Sequence, residues 1–250
     1  MSSFHHICLK LLAWLIFIVL LSYPTLPAKA QMPPPGPKSN KSLVVGFVGG
    51  MRHPKDRKQG VVQIGDRLRS LGCSDLEVNI FSHWKWKKAY RWIYQVMDQD
   101  QDNNLSDKEI EYTPKIIIYG HSMGGGAVIK LARRLEKAHI QVELAVQIDS
   151  VGIGDEVVPG NVKLATNFYQ RTVWPIRGEK QIRAQDESKT KILGNILVKD
   201  VGHEALARES QISDFITEKV LSLCGQRLTV VATEPPDRGF LGIRCHTAAR

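Results

Sequence analysis

"KIIIYGHSMGGG" (115–126) is the stretch that decides the fold. Ile116, Ile117, Ile118 and Tyr119 form an apolar run without alternation, which predicts a strand buried on both faces. It runs straight into Gly120-His121-Ser122-Met123-Gly124, and "MGGGAVIKLARRLEKAH" (123–139) has the spacing of a helix. A strand that turns into a helix within so few residues strains the corner residue, and small neighbours must leave it room. The Ser122 hydroxyl is then exposed at the C-terminal edge of a sheet, over a helix N-terminus whose dipole favours a developing anion. The structural alternative is a Gly/Ser helix cap with no chemistry.

Working outward, strands and helices alternate. "SLVVGFVGG" (42–50) is a buried strand ending in glycines. "QGVVQIGDRLRSLG" (59–72) is a helix that stops at Gly72. "DLEVNIFS" (75–82) is a strand and "WKWKKAYRWIYQVM" (84–97) a helix. "QVELAVQIDS" (141–150), "NVKLATNFY" (161–169) and "KILGNILVKD" (191–200) read as further strands, and "EALARESQISDFITEKVLSL" (204–223) as the closing helix. This order predicts an α/β fold: a doubly wound, mostly parallel sheet with helices on both faces and ligands at the C-terminal strand ends. Residues 224–250 show no clear period and read as a tail.

"GHSMGG" on its strand-to-helix turn resembles the α/β-hydrolase family, over about residues 42–223. The resemblance implies a serine, an acid and a histidine in that chain order. His203, in "ILVKDVGHEAL" between the last strand and the last helix, stands where the family places its base. Asp149, ending the strand after the nucleophile helix, is the first candidate for the acid. Asp186, one strand later in a charged segment, is the alternative, and Asp155 ranks third. The resemblance also implies an oxyanion hole from the backbone N–H of Met123 and a second N–H after the first strand, from Gly49 or Gly50. Val48-Gly49 replaces the His-Gly pair common in the family at that place. "VPGNVKLATNFYQ" (158–170) resembles bacterial secreted hydrolases of this group and adds no site residue.

"DQDQDNNLSDKE" (98–109) concentrates five carboxylates in a chain whose formal net charge is +9. It follows the EF-hand pattern D-x-[DN]-x-[DN]-G-x₅-E. Asp98, Asp100 and Asp102 take places one, three and five, Asn104 offers its carbonyl at seven, Ser106 stands at nine and Glu109 closes at twelve. Hard oxygens at this spacing suit Ca²⁺ in a structural role. The sixth place holds Asn103 instead of glycine, and asparagine tolerates the positive φ needed there. A solvated acidic linker is the alternative.

The 250 residues, 43% hydrophobic, suffice for one α/β domain. "LLAWLIFIVLL" (11–21) followed by "PAKA" (27–30) predicts a signal peptide over 1–30, hence a secreted or periplasmic protein; a retained membrane anchor is the alternative. A Pro-rich leader spans 31–41. Cys73, Cys224 and Cys245 remain after cleavage, and a Cys224–Cys245 disulfide is the favoured pairing. The basic balance fits an anionic envelope surface, and no nucleic-acid motif is present. Trp84 and Trp86 could line an acyl pocket or touch a lipid interface; the alternative is an amphipathic helix burying Ala89, Trp92, Ile93 and Val96. Together these features predict a secreted serine hydrolase acting on small-molecule or lipid esters or thioesters. The competing classes are an inactive hydrolase-fold calcium binder or envelope-docking protein, and an anionic-surface adsorber.

Overall fold

A computed structural model describes residues 41–172, 177–224, 226–231 and 242–247, the last stretches from Cys224 onward by backbone alone. The expected signal peptide (1–30) and most of the expected leader (31–41) lie outside the described residues. Residues Ser39–Arg250 form one compact unit.

Six strands make the main sheet: β1 (Ser42–Val48), β2 (Leu76–Ser82), β3 (Lys115–His121), β4 (Val142–Ile148), β6 (Val162–Tyr169) and β8 (Lys191–Leu197), in the order β2-β1-β3-β4-β6-β8. Every neighbouring pair is parallel. Short strands β5 (Val157–Val158) and β7 (Arg183–Ala184) pair with each other beside it.

Successive residues of the central strands supply two different cores, because side chains alternate across a sheet. Leu43, Val45, Phe47, Ile116 and Ile118 pack on one face with helices α2 (Trp86–Met97) and α4 (Met123–Glu136). Val44, Val48, Ile117, Tyr119 and Ile148 pack on the other with α1 (Gly60–Ser70) and α6 (Ser210–Cys224). This two-sided burial explains the unbroken apolar runs. The buried Tyr119 hydroxyl donates to the Val61 carbonyl at 2.9 Å, which ties α1 to the sheet. The order in which strands are added reverses between β1 and β3, with β2 on one side of β1 and β3 onward on the other, so the crevice of a doubly wound sheet opens at their C-terminal ends. Both the 49–50 loop and Ser122 lie there.

Three expectations need correction. The closing helix is two helices, α5 (His203–Leu206) and α6, because the turn at Ala207 sits against α1: a Cβ on Gly60 would lie 2.0 Å from the Ala207 carbonyl oxygen. The tail contains an antiparallel pair, β9 (Gln226–Val231) and β10 (Gly242–Thr247), formed from short segments with no long-range apolar period. Cys73 is disulfide-bonded and so is not the spare thiol; its partner side chain lies outside the described residues, as do those of Cys224 and Cys245. No helix among the described residues is long and apolar enough to cross a membrane.

Candidate active site

Ser122 stands between β3 and α4 with φ 58° and ψ −127°, a backbone conformation that side chains other than glycine rarely adopt. The corner is held from both sides. The Ser122 N–H donates to the Ile148 carbonyl at 2.9 Å, and its carbonyl accepts from Gly125 and Val151 N–H at 2.9 and 3.0 Å. The flanking glycines are required by contact: a Cβ on Gly124 would lie 2.1 Å from the Phe47 carbonyl oxygen, and one on Gly120 would lie 2.3 Å from that of Gly124. Strand, turn and helix therefore pack at backbone distance, and the serine side chain is left half-exposed above them.

Asp149, directly after β4, is fully buried and also has a positive φ, 42°. Its Oδ2 lies 2.7 Å from His203 Nδ1. Gln170 Nε2 donates to Oδ2 at 2.9 Å, and the Gly178 N–H donates to Oδ1 at 2.9 Å. Burial pushes the Asp149 carboxyl up, but the bonds from His203, Gln170 and Gly178 outweigh it and hold the group below the usual carboxylate range. An ionised Asp149 can only accept, so His203 carries its proton on Nδ1 and leaves Nε2 as a base.

His203 opens α5 and is buried. Its carbonyl accepts from His121 Nε2 at 2.8 Å, and the two imidazole rings lie 4.7 Å apart. His203 thus abuts the residue before Ser122, across 82 positions of sequence. Burial, then the neighbouring His203, lower the His121 pKa to about 4, so His121 is a neutral donor.

Asp186 is elsewhere engaged: its carboxylate accepts from the Ser188 N–H and hydroxyl and pairs with Lys189. His203 Nδ1 is met by Asp149 and not by Asp186, whose contacts stay within its own loop. Asp155 is likewise committed, to the Ser150 hydroxyl. On the other side of the serine, a Cβ on Gly49 would lie 2.7 Å from Ser122 Cβ and 3.3 Å from the Met123 nitrogen. Gly50 follows with φ 52°. The 49–50 loop therefore lies directly against the elbow.

Trp84 is 48% exposed and lines a cleft of about 790 Å³ with Phe81, Trp92, Lys85, Lys88 and Arg91. Trp86, the first residue of α2, is partly buried, packs against the core and is not among the residues lining this cleft. Of the side chains supposed buried on that helix, Ala89 and Ile93 are buried, whereas Trp92 and Val96 are half-buried. Gln170, Gly178 and His121 were missing from the site as read in sequence. Gln170 is a polar residue closing an apolar strand beside β4, and that position was the available signal.

The acidic loop joins α2 to a short helix, α3 (Asp107–Glu111). One ligand atom each from Asp98, Asp100 and Asp102 falls within 4.8 Å of the others. Asp98 is buried, 7% exposed; its Oδ2 accepts from the Asn103 N–H at 3.1 Å, and its Oδ1 is buried with no hydrogen-bond partner. Gln101 and Asn103 adopt φ 60° and 62°. Glu109 Oε1 accepts from the Gln99 N–H at 2.7 Å, while Oε2 accepts from the Ser106 N–H at 2.9 Å in a capping box. The Asn104 N–H donates to Asp102 Oδ1 at 2.7 Å. A bond from the Asp102 N–H favours ionised Asp100, but desolvation and the charges of Asp102, Glu109 and Asp98 prevail and raise its pKa.

The sheet order, the all-parallel pairing and the elbow after β3 define an α/β-hydrolase fold. No protein-family model and no curated protein matches the sequence. Among solved structures the chain is similar to human thioesterase 2, at 12% identity and a TM-score of 0.41, over 74% of this chain and 98% of that one. It is similar to a cutinase-like protein from Cryptococcus sp. at 11% identity and a TM-score of 0.41, over 74% and 95% of the two chains. The thioesterase of the prodiginine biosynthetic pathway in Streptomyces coelicolor matches at 10% identity and a TM-score of 0.40, over 81% and 94%.

Proposed function

We propose that the protein is a secreted or periplasmic serine hydrolase that cleaves carboxylic ester or thioester bonds through Ser122, His203 and Asp149. One observation carries this reading: His203 Nδ1 meets buried Asp149 at 2.7 Å while His203 abuts the strained Ser122 elbow. His203 Nε2 takes the Ser122 proton as Oγ attacks the acyl carbon. The tetrahedral oxyanion is met by the Met123 N–H and a second N–H from the 49–50 loop. The imidazolium, steadied by Asp149, then protonates the leaving alcohol or thiol. Water, activated by the same histidine, releases the acid and restores the serine.

The acidic loop is proposed to hold calcium in a structural role. The buried, unpartnered Asp98 Oδ1 and three converging carboxylates fit a hard cation. Asp98, Asp100, Asp102, the Asn104 carbonyl, Ser106 and Glu109 would be its ligands. A bound ion would supply positive charge that offsets the mutual repulsion of the carboxylates, in a structural and not a catalytic role.

The test is hydrolysis of p-nitrophenyl esters of rising acyl length by wild type and Ser122→Ala. Turnover that falls by about 10⁴-fold or more in Ser122→Ala fits the reading. No turnover of any ester by the folded wild type would favour a non-catalytic scaffold.

A further inference from the structure

Six large apolar side chains are exposed among the described residues: Met51, Trp84, Met123, Val151, Ile153 and Leu197. Met51 follows β1, Trp84 follows β2, Met123 follows β3, Val151 and Ile153 follow β4, and Leu197 ends β8. All six therefore lie at the C-terminal edge of the sheet, the edge that carries Ser122. Isolated exposed apolar residues are ordinary, but scatter would distribute them over both edges. Met51 and Ile153 are 95% and 98% exposed, so their side chains rest on almost nothing within the chain.

Cations accompany these apolar tips. The loop after β1, "MRHPKDRKQ" (51–59), exposes Arg52, Lys55, Arg57 and Lys58 against one acid, Asp56. The segment after β2 exposes Lys85, Lys87, Lys88 and Arg91, and residues 83–97 contain no acid at all. Between the two segments lies the 790 Å³ cleft, lined by His53 from one and Trp84, Lys85, Lys88 and Arg91 from the other, with no acidic side chain in its wall. Lys85, Lys88 and Arg91 form no ion pair among the described residues, unlike Arg52 with Glu204 and Arg57 with Asp66. Helix α2 does not itself offer an apolar face, because Ala89, Ile93 and Met97 are spent on the core.

We propose that this edge docks on an anionic lipid surface. Met51, Trp84 and Ile153 enter the boundary between headgroups and acyl chains, while the cations of 52–58 and 85–91 meet phosphates. Docking does not require Ser122 to react; it rests on the preceding reading only for its purpose, which is to present a lipid ester to the serine without passage through water.

The test is co-sedimentation with phosphatidylglycerol or phosphatidylcholine vesicles. The chain used begins at Gln31, which keeps the whole compact unit Ser39–Arg250 and removes the hydrophobic run 11–21 that would bind lipid by itself. Binding to phosphatidylglycerol should be about tenfold or more tighter than to phosphatidylcholine, and high salt should weaken it. Met51→Ser with Ile153→Ser should weaken it about tenfold, and separately Lys85→Glu, Lys88→Glu and Arg91→Glu together about 100-fold or more, both at unchanged melting temperature. Ser122→Ala should bind like its parent, which separates docking from catalysis. Equal partition into both lipids, or parental binding by either multiple variant, overturns the proposal.

Discussion

The serine corner and the acidic loop are built in opposite ways. At the corner, residues 122, 149 and 203 are far apart in sequence, and the sheet brings them together with the buried carboxylate fully bonded: Asp149 accepts from His203, Gln170 and Gly178. In the loop, the candidate ligands lie within twelve residues, their geometry is local, and one buried oxygen of Asp98 has no partner. The corner's buried carboxylate is satisfied by its neighbours, whereas the loop's carboxylates repel one another. Chain topology therefore stabilises the first, and a bound cation should stabilise the second.

The sharpest way to break this contrast is to remove the corner's own partner. Asp149→Asn should lower kcat for a p-nitrophenyl ester by about 10⁴-fold, through loss of the Nδ1-protonated tautomer. Asp186→Asn should leave kcat within about twofold, since that carboxylate only caps its own loop. Comparable losses in both variants would sink the assignment of the acid.

The loop should respond in stability and not in chemistry. A tight chelator should lower the melting temperature by about 5 °C or more, taking a ligand at roughly 100-fold its Kd and a domain of this size. Asp98→Asn should abolish the response and leave kcat for a soluble ester nearly unchanged at a temperature where both proteins are folded. A melting curve indifferent to chelator and to added calcium would make the loop a solvated linker.

The smallest expected effect separates the two regions by pH. His121 has its pKa lowered to about 4 in the fold, against an ordinary value of 6.5. The unfolded chain then binds the extra proton first, so stability is full above pH 6.5 and is lost as pH falls towards 4. Wild type should lose about 2–3 kcal/mol more than His121→Gln between those limits in denaturant titrations. Identical acid sensitivity of the two proteins would show that His121 does not contribute it.

What was legible in sequence follows the same division. The elbow could be read because its causes are local: an apolar run, a serine and glycines on either side. The acidic loop could be read for the same reason, down to a positive φ at Asn103. Asp149 was the first candidate from its place at a strand end, and His203 from the place that the family resemblance gives the base, neither from any sign that they touch. Gln170 and Gly178 escaped notice, and so did the bond from His121 to His203, because these roles exist only as contacts across 21 to 82 residues of chain. The break before α6 escaped for a related reason: it is imposed by the close approach of α1, while "EALARESQISDFITEK" is helical in propensity throughout.

The central claim is that Ser122 is a nucleophile activated by His203. The most direct measurement is reaction of the folded protein with a fluorophosphonate, followed by mass spectrometry of the peptide containing residue 122. The account predicts a single adduct on Ser122, formed about 10²-fold or more slowly in His203→Ala. An unlabelled wild type that is demonstrably folded, or a label that forms equally fast without the imidazole, would contradict it.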